Sequence, residues 1–557
     1  MHASSLPSVY KILLLTVTIL ATAIAPAQAQ KCGMAFAHQN SKQSKSILHP
    51  AAARKIKNCD AREYYDSVYT RETEHFQIFY TLGIGPHATK PEFVDSLAVT
   101  LENALTFHTK TMKMRAPQGI DTTSHYQMPV KAGLYPVEVA EIDFLRDPRS
   151  VLKADACNGC YGVTYPSSKD YHKSEIIIDN DFKYVPENAT ATSSIVRDEK
   201  TCTYLTSTVE QNSTAYQYSY NKEFAKGIQV TIYHEMFHAV QLQYMDLFNH
   251  WTYWIEASAA GNEEAGAPDI DDYFLYVSRF FNYGGTAIDA IEYEYGLVIL
   301  YLYLYNHVDK HFDKEIWELF ETKPNAPFKE NLKKILEKRG LDGDSLFHDF
   351  ATSAALSGKN ANAVSNARWI HEDQPRWAPA TAKRSTFVDG SEGQDKFTPG
   401  IPLYSLDFYL GGTPDLDEYK GKASALVFNG EKIGIREIKN TASVDSIIKD
   451  AFFADSIMWV FSSFDNPKRI PEMVKDSTLR AFPMPWRGNG SLCFTPLPES
   501  KKFIEIRNAR GDLVLREPYV RTTHCIDADK IKDAMKPGVY RFRAGSSGKT
   551  QKFLVVY

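Results

Sequence analysis

His234 and His238 stand four residues apart inside a mostly apolar run. Residues at that spacing share one face of a helix, and the run has the matching period. Ile228, Ile232, Met236 and Val240 step by four along one side, while Gly227, Thr231, His234, His238 and Gln241 form another stripe. Tyr233 and Phe237 leave no broad polar face, so a largely buried helix is expected from about Glu223 to Tyr244. A buried helix that carries two imidazoles in one stripe must supply partners for them. That requirement restricts what can pack around the segment more than any other feature of the chain.

Glu235 completes the pattern His234-Glu235-Met236-Phe237-His238, an H-E-x-x-H motif. The spacing lets both imidazoles grip one metal ion, with Glu235 beside them as the base for a metal-bound water. Glu256, in Trp254-Ile255-Glu256-Ala257, is the expected third ligand, carried on a second helix from Trp251 to Glu264. Three protein ligands and one open position define a catalytic zinc site, not a closed structural one, so Zn2+ is the expected cofactor. Each residue taken singly has a plainer explanation. A lone histidine on such a helix is more often a hydrogen-bonded core residue, and Glu256 lies near Glu263 and Glu264 as a surface acid would. The helix, the export signal and the Trp254-Ile255-Glu256-Ala257 segment together favour the metal.

Residues 1–29 read as a secretory signal peptide: Lys11, an apolar core from Ile12 to Leu20, and a small-x-small cleavage site at Ala27-Gln28-Ala29. The mature chain is therefore expected outside the cell or on its surface. A net charge of -5 gives no electrostatic argument for nucleic acid or for an anionic membrane. No later segment is long and apolar enough to span a bilayer. Export permits disulfides. Neighbourhood pairs Cys32 with Cys59 and Cys493 with Cys525, and two of Cys157, Cys160 and Cys202 make a third bridge, although spacing does not fix connectivity. Cys157-Asn158-Gly159-Cys160 has zinc-knuckle spacing without a second pair, so a disulfide or turn is expected there.

The chain is expected to be α+β. An extension covers 30–69 and a mixed domain 70–357, with strands at His75–Thr81, within Val130–Ile142 and at Ser174–Asp181, and a helix opening at Pro91. Residues 186–220, rich in Thr, Ser, Asn and Tyr, read as a long loop. Glu292–His307 alternates tyrosines like a strand, but its length and leucine content favour a buried helix. Residues 358–400 read as a linker, 401–482 as a β-rich accessory domain and 483–557 as a C-terminal β-sandwich.

His234, Glu235, His238 and Glu256 resemble the zinc site of the gluzincins, a metallopeptidase clan with glutamate as third ligand. A fuller pattern runs through His75-Phe76-Gln77-Ile78-Phe79-Tyr80, Ser174-Glu175-Ile176-Ile177-Ile178-Asp179, the motif helix and Trp254-Ile255-Glu256-Ala257-Ser258-Ala259. It resembles a group of secreted bacterial metallopeptidases in that clan, over about residues 70–350. The resemblance implies a gluzincin-like domain, with a small edge sheet plus a helical bundle, followed by one or two C-terminal β-sandwich domains. It also implies a protein or peptide substrate laid along an edge strand. Related enzymes stabilise the oxyanion with a Tyr or His downstream of the third ligand. Tyr295 is the candidate here, Tyr293 its competitor, and an ordinary core tyrosine the plain alternative.

There are departures. Thermolysin-like enzymes carry an Asp four residues after the ligand glutamate, where this chain has Ala260, so the carboxylate or amide that orients a ligand histidine must come from elsewhere, such as Glu263 or Asn262. The Gly-x-Met-Glu-Asn segment of the aminopeptidase branch is absent, which leans towards an endopeptidase. The tail, Phe503–Val514 with Pro537–Arg543 and Lys552–Val556, resembles the C-terminal sorting domain of type IX secretion, which would make secretion machinery a partner; a generic accessory β-sandwich is the other reading. The competing function is a catalytically silent surface binding or adhesion protein on a peptidase scaffold.

Overall fold

The computed structural model describes residues 67–556 except 143–159, 185–189, 212–218, 246–250, 385–395, 466–479 and several shorter stretches. The expected signal peptide and Cys32, Cys59 and Cys157 lie outside the described residues. The chain forms two compact units, Met1–Asn466 and Pro467–Tyr557. Its mixture of helices and separate sheets is an α+β arrangement.

The first unit begins with a six-stranded sheet built from β1 (Val68–Glu72), β2 (Phe76–Thr81), β3 (Gln118–Gly119), β4 (Tyr135–Val139), β5 (Gly162–Pro166) and β6 (Lys173–Ile178). β2, β4 and β6 run parallel, β1 pairs antiparallel with β2, and β5 pairs antiparallel with the far side of β6. Side chains alternate across the sheet. Ile176 and Ile178 face helix α1 (Pro91–Thr106) and the motif helix α2 (Phe224–Gln241), while Ile177 faces a smaller apolar cluster with Val163 and Ile142. Because Thr164 pairs with Ile176 and Gly162 with Ile178, both lie on the face of β5 that meets α2. Pro91 opens α1 at a position where no N–H is needed.

β5 was not legible as a strand, because Gly-Val-Thr-Tyr-Pro is short and bounded by both breakers. The stretch 186–220 also departs from expectation. It is not a long loop throughout: Thr192–Arg197 and Lys200–Leu205 form an antiparallel hairpin. Its threonines are β-branched strand formers as well as polar residues, and Ser194 and Thr203 meet across it at 3.0 Å.

Beyond α2 come α3 (Thr252–Gly266), α4 (Phe274–Asn282), α5 (Val298–His307), α6 (Phe312–Thr322), α7 (Phe328–Lys338) and α8 (Gly343–Ala355). The ambiguous tyrosine-rich segment is the helix α5, buried on every side from Val298 to Leu304. Gly261 lets α3 lie against it, since a Cβ there would overlap the ring of Tyr301. Trp251, Trp254, Trp317, Phe320 and Phe328 fill the space between α3, α6 and α7. Within 358–400, Ile370, Gln374 and Trp377 are buried. A five-stranded sheet follows in the order Lys383–Arg384, Ser405–Leu410, Ser456–Ser463, Lys422–Asn429, Lys432–Ile438. α8 packs on it, and Phe347 and Phe350 share one core with Phe408, Leu426, Val460 and Phe464.

The second unit has a three-stranded sheet (Arg480–Phe482, Leu492–Thr495, His524–Ile526) and a four-stranded one (Leu513–Pro518, Phe503–Arg507, Gly538–Ala544, Gln551–Val555). Leu492, Phe494 and Ile526 from the first meet Ile504, Phe542 and Phe553 from the second in one core. Cys493 and Cys525 sit opposite each other on paired strands and form the expected disulfide. Cys160 and Cys202 each take part in a disulfide as well. No helix among the described residues is long and apolar enough to cross a membrane.

Candidate metal centre

Every group of the motif is buried. His234, His238 and Glu256 are fully enclosed and Glu235 almost so. α2 and α3 pack side by side, so Glu256 on α3 faces the imidazole stripe of α2. The Nε2 atoms of His234 and His238 lie 3.1 Å apart, and Glu256 Oε2 is 3.4 Å from each. Ligand atoms held tetrahedrally at zinc's usual ~2.0–2.1 Å stand roughly 3.3 Å from one another. The three protein atoms therefore form a triangle of the size such an ion needs.

The hydrogen bonding decides which way the lone pairs point. Gln241 Nε2 donates to the Ile255 carbonyl and to Ser258 Oγ, each at 3.0 Å, which fixes its amide orientation. Gln241 Oε1 is then the acceptor for His238 Nδ1–H at 2.8 Å. A proton on Nδ1 leaves the Nε2 lone pair of His238 directed at Glu256. His234 Nδ1 faces Glu263 Oε2 at 3.5 Å, so a carboxylate stands on the same side of this ring as Gln241 does of His238, without a formed hydrogen bond. Neither oxygen of Glu256 has a hydrogen-bond partner. Two imidazole lone pairs and a carboxylate thus converge with no donor among them. Burial alone would cost that much unpaired polarity several kcal/mol, and the donor set fits a divalent cation of zinc's class.

The charges reinforce one another. Burial opposes ionisation of Glu256, but His238 and His234 outweigh it and hold the carboxyl well below the usual carboxylate range. Burial likewise opposes protonation of His234, and Glu256 and Glu263 overcome it, lifting the group to about 9 when no ion is bound, so a cation entering the triangle displaces a proton there. Glu235 behaves differently. Burial raises its pKa, and the two imidazoles and Thr164 only partly offset that.

Glu235 brings a carboxylate oxygen within 4.8 Å of ligand nitrogens of His234 and His238. Thr164 Oγ1, on β5, lies 2.8 Å from both the backbone carbonyl and Oε2 of Glu235. Gly162 allows this approach: a Cβ there would lie 2.5 Å from Thr231 Cγ2 and 3.0 Å from Glu235 Cγ. Among the described residues β5 pairs with β6 alone, so its other edge carries no strand partner.

The Tyr295 ring stacks against His234, with centroids 6.1 Å apart and planes 15° from parallel, and against Tyr276 at 4.5 Å. Its backbone has φ 55°, a left-handed conformation that costs a side-chain-bearing residue of order 1 kcal/mol. Tyr293 instead donates its hydroxyl to the Tyr283 carbonyl at 2.8 Å and is buried in the core. Of the two candidates for replacing the acid missing at Ala260, Glu263 faces His234, while the Asn262 amide donates to the Ser258 carbonyl at 2.9 Å. Glu256 and Glu263 are seven residues apart, two helical turns, and so share one face of α3. Gln241 and Thr164 complete the site. Gln241 was visible in the polar stripe of α2, but Thr164 had no signal because β5 itself had none.

No family model matches the chain, and no curated protein matches it. Among solved structures, a chain of PorZ, an essential bacterial surface component of the type-IX secretion system of Porphyromonas gingivalis, aligns at 17% identity with a TM-score of 0.13. The alignment covers 18% of this chain and 14% of that one. A likeness of that extent carries no argument about fold or activity.

Proposed function

We propose that the chain is a secreted zinc-dependent metallopeptidase, of the gluzincin type, that hydrolyses peptide bonds within protein or peptide substrates. The observation that carries the reading is the triangle of His234 Nε2, His238 Nε2 and Glu256 Oε2, buried and without a donor, beside an acid whose own pKa is raised.

His234, His238 and Glu256 would hold the ion; Gln241 fixes His238 from behind, and Glu263 faces the corresponding nitrogen of His234. A zinc ion there supplies Lewis acidity and a water of lowered pKa. Glu235 takes the proton of the attacking water and returns it to the leaving amine. Its raised pKa suits a group that must hold a proton between those two events. Thr164 steadies Oε2 of Glu235, which leaves the other oxygen for the proton. The unpaired edge of β5 offers backbone groups to an extended substrate, which would add itself as a strand. Tyr295 donates its hydroxyl to the oxyanion that develops on the scissile carbonyl; its stacking on His234 supports that role over Tyr293. The second unit serves export or attachment in this reading.

The test is casein digestion by the wild type with and without chelator, alongside Glu235→Gln. Loss of the base is expected to lower turnover by roughly 10²–10⁴-fold, with zinc still bound. Equal activity in the variant removes the mechanism. Zinc binding without turnover on any peptide library favours the silent binding protein.

A further inference from the structure

A second group of buried ligating side chains lies at the end of α3, apart from the first. Glu264 is 2% exposed, and its Oε1 has no hydrogen-bond partner. The nearest cationic group recorded for that oxygen is His371 Nε2 at 3.8 Å. That is too far for a hydrogen bond and still within the span that two ligands about 2.1 Å from one ion can bridge. The opposite ring nitrogen of His371, Nδ1, sits 3.0 Å from Asp373 Oδ2. Asp373 is itself held by the Tyr273 hydroxyl at 3.2 Å and by Arg376, which also reaches Asp271 at 2.7 Å.

Asp373 holds the Nδ1 side of the ring with Oδ2 at 3.0 Å and its backbone N–H at 3.4 Å, which turns Nε2 of His371 towards the unpartnered oxygen of Glu264. A buried carboxyl oxygen and a ring nitrogen thus face each other with no hydrogen bond between them. Burial pushes Glu264 up to about 10, with Asp373, Asp271 and Glu263 adding to it and Arg376 offsetting only part. The cluster is short of positive charge. Glu264, His371 and Asp373 bring ligand atoms within 4.8 Å of one another.

We propose that Glu264 and His371 hold a second divalent cation, with Asp373 fixing the ring of His371. An imidazole with a carboxylate suits a first-row transition ion such as zinc or manganese better than calcium. The His371 side chain is 14% exposed, so water can reach the remaining coordination positions. The ion would tether the end of α3 to the segment around His371, neutralising charge one residue from the Glu263 that faces His234. The inference does not depend on peptidase activity.

The experiment is equilibrium dialysis of the full chain against zinc, with metal per chain measured for the wild type, Glu264→Gln, His371→Asn and the double variant His234→Ala/His238→Ala. Two equivalents are expected in the wild type and one in each variant. One equivalent that survives in the double variant and is lost in Glu264→Gln also upholds this site, and removes the first. Two equivalents retained in Glu264→Gln and His371→Asn overturn the proposal. So does a double variant that binds no zinc, the result expected if the cluster holds a proton instead. Glu264 and His371 lie on separate segments, so if one single variant fails to give a cooperative thermal transition, the other and the double variant decide.

Discussion

Asp313 makes a stability prediction that can be worked from named contacts. It opens α6, is fully buried, and accepts from the indole N–H of Trp254 at 3.0 Å and of Trp317 at 3.2 Å. Trp254 precedes Glu256 by two residues, so Asp313 anchors the helix that supplies the third ligand. Burial raises its pKa from 3.8 to about 7, against the lowering effect of the two indoles and Asn262. Between those values the folded chain binds a proton that the unfolded chain does not. The slope of unfolding free energy with pH is then negative, and stability falls as pH rises from about 4 to about 7. At about 1.36 kcal/mol per pKa unit, the full effect is of order 4 kcal/mol. The assay is urea unfolding followed by tryptophan fluorescence from pH 4 to 8, for the wild type and Asp313→Asn. The variant does not titrate at that position, so the wild-type-minus-variant difference isolates the group. It should fall by several kcal/mol across the window. A difference that stays flat, or rises with pH, refutes the account of Asp313.

Thr164→Val removes a hydroxyl 2.8 Å from Glu235 Oε2 with little change of shape. A hydrogen bond to a charged group contributes roughly 1.5–3 kcal/mol, so kcat on a peptide substrate should fall about 10–100-fold at unchanged KM; a fall under twofold counts against a positioning role. His348 should show the opposite pH slope to Asp313. It is buried between Ser462 Oγ and Ser424 Oγ, each at 2.8 Å, and burial, aided by Lys422, lowers its pKa to about 4. Between pH 6.5 and 4 the unfolded chain binds the extra proton, so stability should drop by about 3 kcal/mol on acidification, and His348→Gln should abolish that drop in the same urea titrations.

The metal centre was legible because helical period and residue chemistry point to the same stripe. His234, His238 and Gln241 share a face of α2, and Trp254-Ile255-Glu256-Ala257 on the next helix marked Glu256. The remainder depends on contacts between segments distant in sequence. Thr164 reaches Glu235 only because Gly162 lets β5 cross α2 without a side chain between them. Asp313 looks like any acid in the first turn of an amphipathic helix until Trp254 and Trp317 close over it. His371 and Asp373 stand in a stretch whose Asn, Ala, Ser and Pro content says nothing of burial, yet they meet the end of α3 across about a hundred residues. The hairpin from Thr192 to Leu205 was hidden for a different reason. Threonine and serine are common in loops and strands alike, and the cross-strand pairing that separates the two cases is not local.

Anomalous diffraction at the zinc edge, on crystals of the wild type grown with zinc, locates any ion held by the two imidazoles and Glu256. A peak is expected between α2 and α3, roughly 2.0–2.2 Å from His234 Nε2, His238 Nε2 and a Glu256 carboxylate oxygen. A zinc-saturated crystal with no anomalous density at that point, or with Glu256 turned away from both imidazoles, contradicts it.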